Sequence, residues 1–504
     1  YITMENIPKI VDKKLLLDGY IYLKSKTHKG KTYWDCKRVR QRECTARAIT
    51  MQVREEVVVL KGPRLSPHQH PPNREEAEAE NVIRRLKRAA EEHPEQPPAR
   101  ILRNELRNVP SGVLAQLPER ENLKKTMRRE RRRYLPPNPK SLEDLEGIPD
   151  RFKRTLMGDN FMIYDSREVL EEEEGGSRVI VFATRRNIEL LAKSEIWFLD
   201  GTFKVCPEIF TQIFTVMGLV KRAGQDPEDA DEAVALPLVF ALLSSKEQIM
   251  YEAVLRAVAS AAHDFRIDGC SPQKIMTDFE KAIINASITV FPGVQVSCCM
   301  FHLGQTLYRK IQTEGLQESY NNHEDRQLKL QTHMLLALAF VPPPDVNQCF
   351  NDLRNEVQDE LLGLMDYFDE YYIRGRAARG RRRAIPPRYA VETWNQYNAT
   401  LYGQHRTNNI NEGWHNRFRL IVGKNHPDLY SALKEFQKEQ ADTEGCLAEF
   451  SLGRTVKAMP KKKWNTVQKR LRTITLQYER YRDEGRTMDY LRSIAHNVTI
   501  TSSD

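Results

Sequence analysis

Two short apolar segments that each end in an acidic residue restrict most strongly how this chain can fold. Ile196 to Leu199 is predicted to form a buried strand ending in Asp200, and Lys274 to Thr277 a second strand ending in Asp278. If these strands pair in one sheet, the two carboxylates become neighbours. Neighbouring buried carboxylates repel each other unless a cation lies between them. The sequence therefore predicts a sheet with an acidic, cation-binding edge.

The elements around these acids are predicted to follow one another in a defined order. Strands at 209–220 and 235–243 and a helix at about 247–263 come between the two acids. After the second acid, a helix, a strand at 294–299 and another helix from about 303 are predicted. Three antiparallel strands, a helix and then strand–helix–strand is the order of the RNase H fold. We therefore expect an RNase H-like α/β catalytic core.

A third carboxylate is expected from a later helix. Thr407 to Trp414 begins such a helix, with asparagine caps before Glu412. A site of carboxylate oxygens suits Mg²⁺ or Mn²⁺. Two such ions, about 3.5–4 Å apart, activate an attacking oxygen and stabilise the leaving oxygen in phosphodiester transfer. Taken alone, an acid after a strand is weak support, because the chain has 69 Asp and Glu residues.

Four motifs near these acids occur in the order of a known family. They are Trp197–Phe203, Thr277–Glu280, Cys299–His302 and Asn408–Glu412. Together they resemble the Mutator-like (MULE) DDE transposase domain over roughly residues 160–425. The resemblance implies that Asp200, Asp278 and Glu412 form a catalytic triad that binds two Mg²⁺ or Mn²⁺ ions. It also implies that Cys299 and His302 support the active site through hydrogen bonds rather than as metal ligands.

The 134 positions between Asp278 and Glu412 exceed what one strand and one helix require. Residues 321–400 are rich in helix formers and aromatics and are predicted to form an all-helical insertion. The resemblance to Mutator-like and hAT transposases also implies this insertion. Within it, Trp394 is a candidate for stacking on a DNA base at the transposon end. A core position is the more common role for a tryptophan, and both readings stay open.

The first 73 residues contain four predicted strands separated by turn signals. They are Gly19–Leu23, Thr32–Trp34, Ala46–Thr50 and Val57–Leu60. Four short strands bury too little apolar surface to be stable alone. Two thiolates and two imidazoles, from Cys36, Cys44, His68 and His70, make a closed tetrahedral set for one structural Zn²⁺. We therefore expect a small zinc-bound β-sheet module.

Short motifs within this module are similar to those of a zinc-binding family. They are Gly19–Tyr20, Tyr33–Cys36, Cys44–Arg47 and His68–His70. Together they resemble the FLYWCH zinc finger. The resemblance implies that a zinc-held sheet binds DNA or protein.

Three helices near 74–92, 97–107 and 119–134 are predicted to follow the module. The third is rich in arginine, with candidate DNA contacts at Arg128, Arg129, Arg132 and Arg133 and a further arginine, Arg131, on the same basic face. Three short helices with a basic third one suit a helix-turn-helix-like DNA reader. A helical dimerisation or spacer region is the alternative, and the sequence does not decide between them.

These predictions divide the chain into six segments of a multidomain α+β protein. The segments are 1–73 (zinc module), 74–150 (helical region), 151–320 (first part of the core), 321–400 (insertion), 401–425 (final core helix) and 426–504 (basic helical region). In the last segment, Lys461 to Arg472 could contact phosphates or be an ordinary solvated helix.

Composition narrows the class of protein and of partner. The 504 residues exceed what one core usually organises, and a net charge of +9 favours a polyanionic partner. No segment reaches 18 consecutive apolar residues, which predicts no membrane span. The eight irregularly spaced cysteines and the absence of a signal-like N-terminus favour an intracellular protein, and for a transposase the nucleus.

The favoured interpretation is an active transposase that binds double-stranded DNA at terminal inverted repeats and at the target. Cutting paired ends requires at least a homodimer. The alternative is a domesticated transposase that regulates transcription by sequence-specific DNA binding. All three acids are present, which favours the enzyme because a non-catalytic descendant has no need to retain them. An RNase H-like nuclease that never integrates DNA is a weaker third interpretation.

Overall fold

The computed structural model describes residues 8–500 except 54, 55, 94, 95, 135, 170–176, 222–232, 323, 325, 379–382, 405, 407 and 455–461. The chain forms two compact units that divide after Asn138. The sequence suggested a boundary near 150, but residues 139–150 belong to the second unit. Leu145 and Ile148 are buried, and the Leu145 carbonyl accepts hydrogen bonds from Arg167 and Arg178.

The first unit begins with a six-stranded antiparallel sheet whose spatial order follows the chain. Its strands are β1 (Lys9–Val11), β2 (Lys14–Leu17), β3 (Tyr20–His28), β4 (Lys31–Cys36), β5 (Arg47–Val53) and β6 (Glu56–Lys61). The sequence predicted four strands and missed β1 and β2. The turn between these two places Asp12 and Lys13 at φ values of 47° and 65°. Asn-Gly is the usual signal for such a turn, so Asp-Lys gave no hairpin signal.

Four helices follow in the first unit, where three were predicted. They are α1 (Arg74–Glu92), α2 (Pro98–Leu106), α3 (Ser111–Ala115) and α4 (Arg120–Tyr134). The Asn73 side chain caps α1 by accepting a 3.0 Å hydrogen bond from the Glu76 amide. Apolar residues of α1 and α4, such as Leu86 and Met127, form one buried core. This core explains why a strongly basic helix such as α4 is stable in this position.

Arg131 has a structural role in α4. Its guanidinium donates hydrogen bonds to the carbonyls of Ala90 (3.1 Å), His93 (2.9 Å) and Gln96 (2.6 Å) at the end of α1. Helix C-termini leave carbonyl groups without helical partners, and a cation there is stabilising. The inclusion of Arg131 in a DNA-facing surface was therefore wrong.

The second unit contains a seven-stranded mixed sheet. Its strands are β7 (Met162–Asp165), β8 (Val179–Phe182), β9 (Ile196–Thr202), β10 (Gln212–Val220), β11 (Val234–Leu243), β12 (Lys274–Thr277) and β13 (Gln295–Cys298). Their order across the sheet is β13-β12-β9-β10-β11-β8-β7. The strands β9, β10 and β11 are antiparallel, whereas β12 runs parallel to both β9 and β13.

Helices cover both faces of this sheet. They are α5 (Ser166–Val169), α6 (Arg185–Lys193), α7 (Gln248–Asp264), α8 (Lys281–Val290), α9 (Met300–Thr313), α16 (Asn409–Val422) and α17 (Leu429–Ser451). On one face Phe214 of β10 contacts Tyr251 of α7. On the other, Phe240 of β11 contacts Trp414 of α16 and Phe436 of α17. The sheet is therefore covered on both sides, and its strands β10 and β11 are almost entirely buried.

The remaining helices form a second core within this unit. They are α10 (Gln317–Asn321), α11 (Gln327–Ala337), α12 (Val346–Glu356), α13 (Leu362–Phe368), α14 (Val391–Trp394), α15 (Tyr397–Leu401), α18 (Lys462–Thr475), α19 (Tyr478–Asp483) and α20 (Thr487–Ala495). The helical character of 321–400 agrees with the prediction, apart from an isolated β-bridge between Arg376 and Ile385.

The last three helices pack into the same core as the predicted insertion. Leu471, Tyr478 and Tyr490 are buried there, and the Tyr490 hydroxyl donates a hydrogen bond to the Phe340 carbonyl. The basic segment predicted from Lys461, a residue outside the described part, is therefore not a free tail. From Lys462 onward it is a helix with one face buried.

Within the described residues, no helix has both the length and the apolar character needed to cross a membrane.

Candidate metal centre and active site

Cys36, Cys44, His68 and His70 meet beside the sheet of the first unit; we call them the zinc set. Their ligand atoms all lie within 4.8 Å of one another. The Cys36 Sγ–His70 Nε2, Cys44 Sγ–His68 Nδ1 and His68 Nδ1–His70 Nε2 distances are 3.3, 3.4 and 3.3 Å. Ligands of a tetrahedral zinc ion with ordinary bond lengths lie about 3.3–3.8 Å apart. The four side chains therefore fit one structural zinc ion.

Neighbouring groups orient the two imidazoles. His68 Nε2 lies 2.7 Å from the Tyr22 hydroxyl, and His70 Nδ1 lies 3.0 Å from the Pro71 carbonyl oxygen. The Tyr20 ring stacks on His68 with 3.6 Å between ring centroids. Metal-bound histidines usually donate their other N–H to such a partner, which fixes the tautomer. Burial lowers the pKa of His68 to about 4, so the ring is neutral at neutral pH, as metal binding requires.

The three acids predicted from the sequence meet at one edge of the sheet in the second unit. In the parallel pair β9–β12, Phe198 lies opposite Met276. Two residues further along the chain are Asp200 and Asp278. Asp278 directly follows β12 as predicted, whereas β9 does not end before Asp200 but continues to Thr202. Glu412 lies in the first turn of α16, a helix that packs on β9. Three separate elements thus bring these carboxylates to the same place.

Two imidazoles lie among the three carboxylates. His302 Nδ1 is 2.8 Å from Asp278 Oδ1, and His302 Nε2 is 3.5 Å from Glu412 Oε1. His415 Nδ1 is 3.4 Å from Asp200 Oδ2. We call these five side chains the acid cluster. Among the described residues, the zinc set is the one group of three or more such side chains gathered closely enough to hold a metal ion as the structure stands.

The acid cluster has more negative charge than its surroundings favour. Burial raises the pKa of Asp278, and the charge of Asp200 raises it further, whereas His302 opposes the shift. Burial also raises the pKa of Glu412; His302 lowers it, and both aspartates raise it. Cations among the acids would remove this penalty. Carboxylate oxygens are the ligands that Mg²⁺ and Mn²⁺ prefer, so the donor set fits such ions.

Two family models match separate parts of the chain. Residues 196–306 match the MULE transposase domain. Residues 8–70 match the FLYWCH zinc finger domain. Both matches agree with the resemblances seen in the sequence and indicate a transposase-related function. The MULE match includes Asp200, Asp278 and His302 but ends before Glu412. No curated protein matches the chain.

Cys299 and Asn408 tie the transposase domain to the start of α16. The Asn408 amide donates a 3.1 Å hydrogen bond to Cys299 Sγ, and Asn408 Nδ2 donates one of 3.3 Å to the Leu199 carbonyl. Asn411 in turn donates to Asn408 Oδ1 at 2.8 Å. The sequence predicted helix capping by these asparagines, but the Asn408 side chain makes no capping hydrogen bond. It connects α16 to β9 instead.

His415 belongs to the acid cluster but was not singled out in the sequence. It lies three residues after Glu412, a spacing that puts both side chains on one face of a helix. The adjacent Trp414 anchors that helix, because its indole N–H donates a 2.8 Å hydrogen bond to Glu439. Helical spacing from Glu412 was the signal that could have identified His415.

Trp394 is fully buried in the helical core, with 0% of its surface exposed. Its indole N–H donates a 3.1 Å hydrogen bond to the Tyr372 carbonyl, and its ring meets Phe368 edge-on. A base cannot stack on a ring that is enclosed on all sides. The proposed base-stacking role of Trp394 was therefore wrong, and the residue is part of the core.

The predicted DNA contacts on α4 have different surroundings. Arg128 and Arg129 are exposed, whereas Arg133 lies 3.1 Å from Glu130 in an ion pair. The side chain of Arg132 lies outside the described part of the structure. The DNA-binding role of these arginines stays a prediction.

A second basic surface, missed in the sequence, lies on the β3–β4 hairpin of the zinc finger. Lys24, Lys26, Lys29 and Lys31 are all exposed. None of them is ion-paired with another residue that the structure describes. No acidic residue occurs between Gly19 and Trp34. We call these four residues the lysine hairpin.

Proposed function

We propose that this chain is a DDE-type DNA transposase that cleaves DNA at transposon ends and joins the freed 3′-hydroxyls to target DNA. The observation that carries the proposal is the meeting of Asp200, Asp278 and Glu412 at one sheet edge, two of them within the MULE match. Their carboxylates would hold two Mg²⁺ or Mn²⁺ ions. Bound ions of this kind supply the charge that activates the attacking oxygen and stabilises the leaving oxygen.

The order of the strands supports an RNase H-like core for this enzyme. Three antiparallel strands, β11-β10-β9, continue into the parallel strands β12 and β13. Asp200 lies within β9, and Asp278 directly follows its parallel neighbour β12. Carboxylates at the ends of neighbouring strands are a rigid platform, because the sheet fixes their separation.

The protein's own groups prepare this site in two ways. His302 lies between Asp278 and Glu412 and balances their charges when no cation is bound. Asn408 ties the start of α16 to the Leu199 carbonyl, next to Asp200. The enzyme thus keeps its three acids at fixed positions before DNA arrives, which lowers the cost of organising the transition state.

DNA binding in this proposal belongs chiefly to the first unit. The lysine hairpin and the exposed Arg128 and Arg129 are two basic surfaces that suit a phosphate backbone. Each neutralised phosphate releases counterions, so binding should weaken steeply as salt rises. We also propose that a homodimer or larger assembly cuts paired ends, in the nucleus.

The test is incubation of the full chain with labelled inverted-repeat DNA and Mg²⁺, followed by mapping of cleaved and joined products. We expect strand cleavage that depends on the divalent ion and joining that depends on a free 3′-hydroxyl. Binding without any cleavage would contradict the enzyme and favour the domesticated transcription regulator. Salt-dependent gel shifts of variants in the lysine hairpin and in α4 would then identify the binding surface.

A further inference from the structure

The connection between β12 and α8 carries Asp278 and contains only three residues, from Asp278 to Glu280. Glu280 is the N-cap of α8, so the carbonyl of the middle residue, Phe279, lies outside the hydrogen-bond ladder of the helix. A donor for this carbonyl must therefore come from outside α8. The position of Asp278 at the sheet edge depends on what holds this short connection.

Tyr389, in the predicted insertion, supplies that donor. Its hydroxyl lies 2.5 Å from the Phe279 carbonyl oxygen. A carbonyl oxygen can only accept, so the tyrosine hydroxyl donates. The two residues are 110 positions apart in the chain. The hydrogen bond therefore connects the insertion to the backbone of the residue next to Asp278.

The same part of the insertion also contacts the Phe279 side chain. The Phe279 ring meets the rings of Tyr389 and Tyr372 edge-on, with 5.0 and 5.7 Å between centroids. Such edge-to-face pairs are a favourable arrangement of aromatic rings. Tyr389 and Tyr372 are both buried and stack on each other at 5.5 Å. The insertion thus contacts both the carbonyl and the ring of Phe279.

Further hydrogen bonds fix the two sides of this contact. The Tyr389 amide donates at 3.0 Å to the Tyr371 carbonyl within the insertion. The buried Gln396 donates at 3.2 Å from Nε2 to the Cys298 carbonyl at the end of β13, the neighbour of β12. Within the connection, Glu280 accepts a 2.5 Å hydrogen bond from the Tyr251 hydroxyl of α7. The insertion is therefore docked at the ends of β12 and β13.

We infer that Tyr389 is a positioning residue of the active site, which acts through the Phe279 backbone to hold Asp278 where a divalent cation binds. The insertion then has a task in catalysis that needs no contact with DNA. The inference rests on the proposed transposase function. Groups that orient metal ligands typically change metal affinity or activity about 10–100-fold when they are removed.

Tyr389→Phe tests this role, because it removes the hydroxyl and keeps the buried ring. Tyr371→Phe is the matched control, since the Tyr371 hydroxyl has no hydrogen-bond partner among the described residues. We expect Mn²⁺ affinity of the full chain, measured by electron paramagnetic resonance without DNA, to fall about tenfold in Tyr389→Phe. The Mg²⁺ concentration for half-maximal cleavage should rise by about the same factor, while DNA affinity by gel shift is unchanged.

Amide hydrogen exchange of the metal-free chain reports on position directly. Exchange in residues 278–284 should become faster in Tyr389→Phe, whereas exchange in the rest of the sheet should match the wild type. Wild-type Mn²⁺ affinity in Tyr389→Phe, or equal losses in Tyr371→Phe, would overturn the inference and leave the transposase proposal intact. Faster exchange throughout the second unit would also overturn it, because general stability rather than position would then be lost.

Failure of the proposed function gives a different result. A wild-type chain that binds Mn²⁺ but cuts no inverted-repeat DNA would overturn the transposase proposal. The Mn²⁺ affinities and exchange rates of the two variants would still decide whether Tyr389 positions Asp278.

Discussion

The zinc set and the acid cluster both gather metal-binding side chains, but over very different lengths of chain. The zinc set spans residues 36–70, and its ligand atoms already lie within 4.8 Å of one another. The acid cluster spans residues 200–415 and takes its members from β9, α9, α16 and the end of β12. In this cluster His302 lies between two of the acids, Asp278 and Glu412.

This difference indicates that the fold depends on the metal site in the first unit, whereas the metal site depends on the fold in the second. The sheet of the zinc finger has a small core, with Tyr22 and Trp34 as its largest buried side chains. A sheet of this size needs a metal ion for stability. The acid cluster lies at the edge of a sheet with a large core of its own, which includes Trp197 and Phe214. The zinc set therefore stabilises its unit, whereas the acid cluster depends on a unit that is already stable.

The largest expected effect is that of Cys36→Ser on the zinc finger. Structural zinc sites in finger peptides contribute about 10–16 kcal/mol of binding free energy, which is coupled to folding. We therefore expect the variant to lose its one zinc ion and the first unit to unfold, while the second unit stays folded. Metal analysis and circular dichroism measure these changes. Cys270→Ser in the second unit is the control, and a Cys36→Ser protein that keeps its full zinc content would contradict the assignment.

Asp278→Asn should have the opposite pattern: lost chemistry with a retained fold. Loss of one metal-binding carboxylate that raises the barrier by about 4 kcal/mol slows a reaction about a thousandfold. Cleavage of inverted-repeat DNA should fall by at least that factor, while DNA affinity and unfolding midpoint stay close to the wild type. Asp268→Asn, at an exposed position, is the matched control. Cleavage near the wild-type rate in Asp278→Asn would exclude this residue as a metal ligand.

The same contrast explains which features could be read from the sequence. The zinc ligands were predictable because four residues of the right types lie close together in the chain. Asp200 and Asp278 were predictable because each follows a short apolar run, a local signal, although β9 continues past Asp200 to Thr202. Glu412 was found only through a family motif, since no local pattern connects it to residues more than 130 positions earlier.

Features that depend on long-range packing were missed or misread. A tryptophan can stack on a base or pack in a core, and the sequence around Trp394 does not distinguish the two roles. Its contacts with Tyr372 and Phe368 in the structure show that the ring is enclosed. In the sequence, Arg131 cannot be distinguished from the other arginines of α4. Its role follows only from its hydrogen bonds to carbonyls at the end of α1. The packing of α20 against α11, more than 150 positions apart, has no local signal at all.

Tyr22→Phe should weaken the zinc set without abolishing it. The substitution removes the hydroxyl that lies 2.7 Å from His68 Nε2 and keeps the buried ring. Loss of such an orienting group typically lowers metal affinity about 10–100-fold. Competition with a chromophoric chelator measures the zinc affinity, and saturating zinc should restore the fold. Tyr33→Phe, on the neighbouring strand, is the control. An unchanged affinity in Tyr22→Phe would show that the ligands alone orient His68.

Trp394→Phe should have the smallest effect on stability and should change neither the zinc set nor the acid cluster. The variant keeps an aromatic ring in the helical core but loses the hydrogen bond to the Tyr372 carbonyl, which contributes about 1 kcal/mol. Urea unfolding should therefore show a slightly less stable second unit. Zinc content, DNA affinity and cleavage rate should match the wild type, because the ring is enclosed by the core and is away from solvent. Lower DNA affinity at unchanged stability would restore a base-stacking role for Trp394.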